Sequence, residues 1–199
     1  MHIIGLTGSS GAGKTAVSSY LQAWGAGSVD ADAVYRTLCS TCPSMLEALA
    51  AAFGDVLDGN GALDRPKLAS IVFSNPAKLE QLNAVTFPFI RAASEERFAA
   101  LAAAGKQIIL YDAPTLFQTG ADSLCQAVIG VIASRETRIR RIIERDHLSH
   151  AAACARIDSQ PDEAFYRSRC RFIIENNGDL PALEAQARHL WSDLQDFDK

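Results

Sequence analysis

"GLTGSSGAGKTAVSSYL", residues 5–21, decides how this chain is read. From Gly8 to Thr15 it matches G-x-x-x-x-G-K-[ST], the spacing of a phosphate-binding loop. Glycine lets backbone N–H groups turn inward and approach an anion closely. Lys14 brings a mobile positive charge to the β- and γ-phosphates, and the Thr15 hydroxyl can ligate Mg²⁺. The helix that follows aims its positive dipole end at the same anion. The spacing also occurs in unrelated sequences, so its flanks decide. "HIIGL", residues 2–6, is a short β-branched apolar run and reads as a buried strand. Val17, Tyr20, Leu21 and Trp24 recur at helical spacing, and Gly25 and Gly27 supply a stop. Strand, glycine loop and helix stand in the confirming order. The chain carries no Asn-Lys-x-Asp motif for guanine, so the expected nucleotide is ATP.

At 199 residues the chain can bury a proper core as one or two compact units. Its net charge of −4 argues against a nucleic-acid partner held by bulk electrostatics. No apolar run approaches membrane-spanning length, and the first strand begins too early for a secretory signal, so a cytoplasmic protein is expected. The five cysteines, Cys39, Cys42, Cys125, Cys154 and Cys170, are odd in number and read as reduced thiols. "CSTC", 39–42, has no second pair at zinc spacing and reads as two ordinary thiols before Pro43. Nothing in the sequence sets the oligomeric state.

Five apolar runs read as strands: 2–6, 27–30, 107–112, 127–133 and 172–176. Helical patterns separate them, which predicts an α/β fold, a five-stranded parallel sheet covered on both faces. The gap 31–106 far exceeds one crossover helix and reads as helices near 33–39, 43–53, 64–74 and 88–104. The last is expected to open at Pro88, with Phe87 at its N-cap, and to stop at Gly105. "DGNG", 58–61, is a turn cluster. An insertion of this size beside a phosphate-binding sheet is a natural holder for a second substrate.

"SRETRIRRIIERD", 134–146, is the densest positive run, and Arg138, Arg141 and Arg145 share one helical face. Such a run is often a solvated face, with Glu136 and Glu144 as partners. Its place after a sheet strand favours a lid whose arginines stabilise the charge of a moving phosphoryl group. "VDAD", 29–32, puts Asp30 and Asp32 at the carboxyl end of the second strand, where ligands bind in such sheets. A carboxylate there can accept a hydroxyl proton, hold magnesium or cap the next helix. Asp112, closing "LYD", has the same choice between magnesium and capping.

The whole chain resembles the dephospho-coenzyme A kinase family. The pieces that carry the resemblance are, in order, "IIGLTGSSGAGKT", "VDADAVYR", "FGDVLDGNGALDRPKLASIVF", "LNAVTFPFI", "YDAPTLF", "RRIIERD" with "ARIDSQ", and "FIIENNGDLPAL". The phosphate loop is shared by many kinases, while the Asp-Ala-Asp-x-x-x-Arg run with the "FG…DG" segment is far more specific. The resemblance implies a phosphate-loop kinase fold in three parts. These are a nucleotide-binding core (1–32, 105–133 and 166–199), a helical acceptor insertion (33–104) and an arginine-bearing lid (134–165).

The resemblance also implies transfer of the γ-phosphoryl of ATP to the 3′-hydroxyl of dephospho-coenzyme A, with Mg²⁺, the last step of coenzyme A biosynthesis. Carried over by position, Gly8, Gly11, Ala12, Gly13, Lys14, Thr15 and Ala16 bind the nucleotide, with Arg145 from the lid. Lys14, Asp32 as general base and Arg141 are the expected catalytic residues. Asp30, Arg36 and Phe87 are expected at the acceptor, and Thr15 and Asp112 at the metal. The chain departs from the family at Phe87-Pro88 (usually His-Pro), at Gln118 (usually Glu) and at Ser9-Ser10 (commonly Gly-Ile). The rivals are a phosphate-loop kinase with a drifted small-molecule acceptor and an ATP-binding regulator without catalysis.

Overall fold

A computed structural model describes residues 1–73 and 75–197. Ser74, the end of the expected helix 64–74, and Asp198 and Lys199, the end of the expected core, lie outside the described residues. The chain divides into two compact units, Met1–Ser28 with Leu101–Lys199, and Val29–Ala100.

The first unit is built on a parallel sheet. β1 (His2–Thr7) lies between β3 (Ile108–Asp112) and β4 (Ala127–Ile132), and β5 (Phe172–Glu175) pairs with β4. With β2 (Gly27–Asp30) the order is β2-β3-β1-β4-β5. Every residue of β4 is buried, the mark of a strand covered on both faces. α1 (Lys14–Ala23) and α9 (Leu180–Gln195) cover the sheet through Val17, Leu21, Leu183, Ala187 and Leu190. After β4 come α6 (Arg135–Asp146), α7 (His150–Asp158) and α8 (Glu163–Arg169). α6 and α7 share a small core of Ile139, Ile142, Ala153 and Ile157.

The second unit holds α2 (Ala31–Thr41), α3 (Pro43–Phe53), α4 (Arg65–Val72) and most of α5 (Pro76–Ala103). Cys39, Met45, Leu49, Val56, Leu68 and Val72 form its core. Burial raises the Cys39 thiol pKa, against the lowering effects of Tyr35 and Arg65. The Asp58–Gly61 segment is a turn: the Asp58 carboxylate accepts from the backbone of Asn60 and Ala62, both at 2.9 Å.

One helix boundary differs from the sequence expectation. Pro88 does not open a helix; it lies inside α5, which begins at Pro76. Asn75 explains the difference, because its Oδ1 accepts from Ala77 N at 3.0 Å and Lys78 N at 3.3 Å. An amide oxygen satisfies open helix N–H groups, and a phenyl ring cannot. Phe87 is therefore a half-buried residue in mid-helix, not an N-cap. The far end of α5 stops at Gly105 as the sequence indicates. Gly105 N donates to Ala102 O and Lys106 N to Leu101 O, a paired helix termination that favours glycine in the left-handed region.

Candidate active site

The loop after β1 enters α1 through Gly13, which has φ +97° and no side chain to cap the helix. Gly13 thus offers no side-chain oxygen to the first helical N–H groups, an arrangement suited to an incoming anion. Gly11 also lies in the left-handed region, at φ +79°. Both glycines are walled in as well. A Cβ on Gly11 would stand 2.8 Å from the Arg138 carbonyl oxygen, and one on Gly13 would collide with the Asn176 side-chain amide.

Three side chains grip the loop from its carbonyl side. Arg138 Nε donates to Ser10 O at 3.1 Å, Arg141 Nη1 to Gly11 O at 3.4 Å, and Asn176 Nδ2 to Ala12 O at 2.8 Å. In a trans peptide the C=O and the next N–H point in opposite directions. Capture of the Ser10 and Ala12 carbonyls therefore turns the N–H groups of Gly11 and Gly13 toward the other face, a geometry suited to an anion. The neighbouring amides are held within the protein: Ala12 N donates to Ser9 O at 3.0 Å, and Ser10 N to Gln160 Oε1 at 2.9 Å. Gln160 also accepts from Arg138 Nη2 at 3.3 Å, and Ser9 Oγ donates to Pro161 O at 3.2 Å. Burial raises the Tyr166 pKa, while its hydrogen bond with Ser9 and the Arg138 charge act the other way. Burial lowers the Arg138 pKa, with the Arg135 charge acting the same way and the Tyr166 and Asp158 charges opposing it.

Register brings the carboxylate to the lysine. β3 pairs with β1 so that Asp112 stands beside Leu6, just before the loop that leads to Lys14. Lys14 Nζ and the Asp112 carboxylate form an ion pair, both largely buried. Thr15 follows on the exposed first turn of α1. A hydroxyl and a carboxylate are hard oxygen donors suited to Mg²⁺, which is held by one or two protein oxygens together with substrate phosphates. Among the described residues no three His, Cys, Asp or Glu side chains gather as a protein-only cage. The donor set present fits a nucleotide-bound Mg²⁺.

The structure thus brings Gly8, Gly11, Ala12, Gly13, Lys14, Thr15 and Asp112 together, with Arg141 behind the loop. Ala16 N closes the first turn onto Gly13 O at 3.0 Å. Arg145, expected over the phosphates, is turned to Asp146 at 2.7 Å, and Asp146 also takes Arg156. In the helical unit, Asp30 is the N-cap of α2, accepting from Ala33 N at 3.0 Å, and it faces Arg36 at 3.6 Å. Asp32 is exposed in the first turn of α2, and Phe87 lies within α5. Sequence reasoning missed Asn176 and Gln160 as loop contacts and read Arg138 as one of a lid face. The "ENNGD" run after β5 holds a signal for Asn176, since buried asparagines at strand ends need partners.

The chain is similar to known proteins over most of its length. The sequence profile of the dephospho-CoA kinase family matches residues 2–182. A dephospho-CoA kinase of Anaeromyxobacter dehalogenans is 39% identical over 196 residues, covering 98% of this chain and 93% of its own. That of Corynebacterium diphtheriae is 38% identical over 192 residues, covering 96% of each. Among solved structures, a Thermus thermophilus protein superposes with TM-score 0.81 at 33% identity, covering 97% of both chains. The dephospho-CoA kinase of Campylobacter jejuni superposes with TM-score 0.69 at 26% identity, covering 99% of this chain and 98% of its own. Shikimate kinase of Acinetobacter baumannii, at 17% identity and TM-score 0.55, shares the fold. A phosphate loop with its paired lysine and carboxylate, on a chain that the family profile matches over residues 2–182, leads to one conclusion: the chain belongs to the dephospho-CoA kinase family.

Proposed function

We propose that this enzyme transfers the γ-phosphoryl group of ATP to the 3′-hydroxyl of dephospho-coenzyme A, giving coenzyme A and ADP. The observation that carries the reading is the Lys14–Asp112 pair at the foot of a loop whose Ser10 and Ala12 carbonyls are held from behind. With nucleotide bound, Lys14 trades Asp112 for the β- and γ-phosphates, and the Gly11, Gly13, Lys14 and Thr15 amides hold the same oxygens. Thr15 and Asp112 would hold Mg²⁺, which would supply charge neutralisation for the phosphates. Asp32 accepts the proton of the attacking hydroxyl as the new oxygen–phosphorus bond forms. The bond from the γ-phosphorus to the leaving oxygen breaks, and ADP departs. Asp30, Arg36 and Phe87 hold the acceptor, Arg141 shapes the loop, and Arg145 is the remaining lid arginine for the nucleotide. Catalysis of this kind is positioning and charge stabilisation rather than covalent chemistry.

Product analysis tests the reading. Incubation with ATP, Mg²⁺ and dephospho-coenzyme A should yield a product one phosphoryl group heavier, with its phosphorus coupled to the ribose 3′-proton in NMR. Phosphorylation of a nucleoside or sugar in preference to dephospho-coenzyme A would contradict it.

A further inference from the structure

The loop's donor geometry depends on a residue outside it. Asn176 follows β5, where its own N–H donates to Ile132 O at 2.8 Å and so fixes it to β4. It is 5% exposed. Its two side-chain atoms face different partners. Nδ2 donates to Ala12 O at 2.8 Å, and Oδ1 accepts from Arg141 Nη2 at 3.3 Å. Its backbone oxygen accepts from Arg141 Nη1 at 3.0 Å. This arrangement also fixes the amide orientation, since only nitrogen can donate to a carbonyl and only oxygen can accept from a guanidinium. The same amide is the wall against which a Gly13 side chain would collide. Gly13 is the N-cap of α1, so Asn176 sets the plane of the peptide that carries the last loop N–H before the helix.

From this geometry we infer that Asn176 is a positioning residue for phosphoryl transfer. Its carboxamide pulls the Ala12 carbonyl away from the nucleotide and so aims the Gly13 N–H at the phosphates. The glycine at 13 and the asparagine at 176 are two halves of one device: the first admits a backbone with φ +97°, the second holds it there. Arg141 completes the device by fixing the carboxamide from behind. The inference rests on the loop being the ATP phosphate site.

Two variants test it. Asn176→Ala removes the side chain, and Asn176→Asp keeps its shape and its acceptor for Arg141 while removing the donor to Ala12. Both should weaken ATP and ADP by on the order of ten-fold, the effect of one unmade buried hydrogen bond, and leave AMP within about two-fold. Hydrogen exchange should speed up in the peptide spanning the loop and stay unchanged in β4. KM for ATP should rise and KM for dephospho-coenzyme A should not. If Asn176→Asp keeps ATP affinity within about two-fold with unchanged loop exchange, Asn176 only fills space and the inference is overturned. Should either variant fail to fold, the other decides by the same readouts. If the wild-type protein binds AMP as tightly as ATP, it is the phosphate-loop reading that fails. If nucleotide affinity falls as expected while dephospho-coenzyme A is not phosphorylated, the proposed function fails and the role of Asn176 stands.

Discussion

Alanine at Gly11 separates backbone strain from crowding, because Gly105 offers a matched control. Both glycines lie at similar positive φ, +79° and +85°. An L-residue forced into that region costs ~1–2 kcal/mol. At Gly105 a Cβ meets nothing within 4 Å, so Gly105→Ala should show that strain alone. At Gly11 the Cβ would stand 2.8 Å from Arg138 O and 3.0 Å from Arg138 Cα. Both are backbone atoms of α6, a helix anchored by buried Ile139 and Ile142. Overpacking against a fixed neighbour adds ~1–3 kcal/mol. The thin loop yields before the helix does, and the 3.4 Å bond from Arg141 to Gly11 O is the first to lengthen. The extra cost should appear in nucleotide binding, weakening ATP by ~10- to 100-fold. Calorimetric titration of both variants with Mg·ATP, alongside thermal melts, measures this. Gly105→Ala should lower the melting temperature by ~2–8 °C and keep ATP affinity. Equal loss of ATP affinity in the two variants would refute the steric argument.

Asp32→Asn keeps shape and removes the proton acceptor, so turnover should fall ~10²–10⁴-fold with ATP affinity retained. Asp30→Asn preserves an N-cap and should lose less in kcat; the reverse order would move the base to Asp30. The Arg145 guanidinium, with Arg156 beside it, holds the Asp146 carboxyl at about 2, below its ordinary 3.8. The contribution of this group to stability is therefore in place above pH ~4 and lost as pH falls through ~2, and an NMR titration of the Asp146 carboxyl that gives an ordinary value would contradict the pairing. Burial pushes the Cys125 and Cys170 thiols up to about 12, so iodoacetamide at pH 8 should spare both in the native protein and label both in urea.

What the sequence reveals is local. β1, the glycine loop and α1 follow one another within a few turns of chain, and β-branched runs mark the five strands to within two residues. Gly105 ends its helix for a reason visible in a single residue. The start of α5 is less legible, because the chain holds two X-Pro pairs there. Asn75 before Pro76 carries a capping oxygen and Phe87 before Pro88 does not, while the prolines themselves look alike in the sequence. The grip on the loop is illegible for a different reason. Arg138, Gln160 and Asn176 reach Ser10 and Ala12 from 128, 150 and 164 positions away, so no periodicity records them. A face of arginines on α6 is plain in the sequence, but only the fold shows that Arg138 and Arg141 meet carbonyl oxygens while Arg145 meets Asp146.

In the proposed reaction the glycine loop, with Lys14 paired to Asp112, drives phosphorylation of dephospho-coenzyme A. ADP release coupled to a spectrophotometric readout, with ATP and Mg²⁺ present, tests it most directly. Release should depend on added dephospho-coenzyme A in the wild-type protein and fall to background in Lys14→Ala, with weakened nucleotide binding. Release that ignores the acceptor, or turnover in Lys14→Ala close to that of the wild type, would contradict the account.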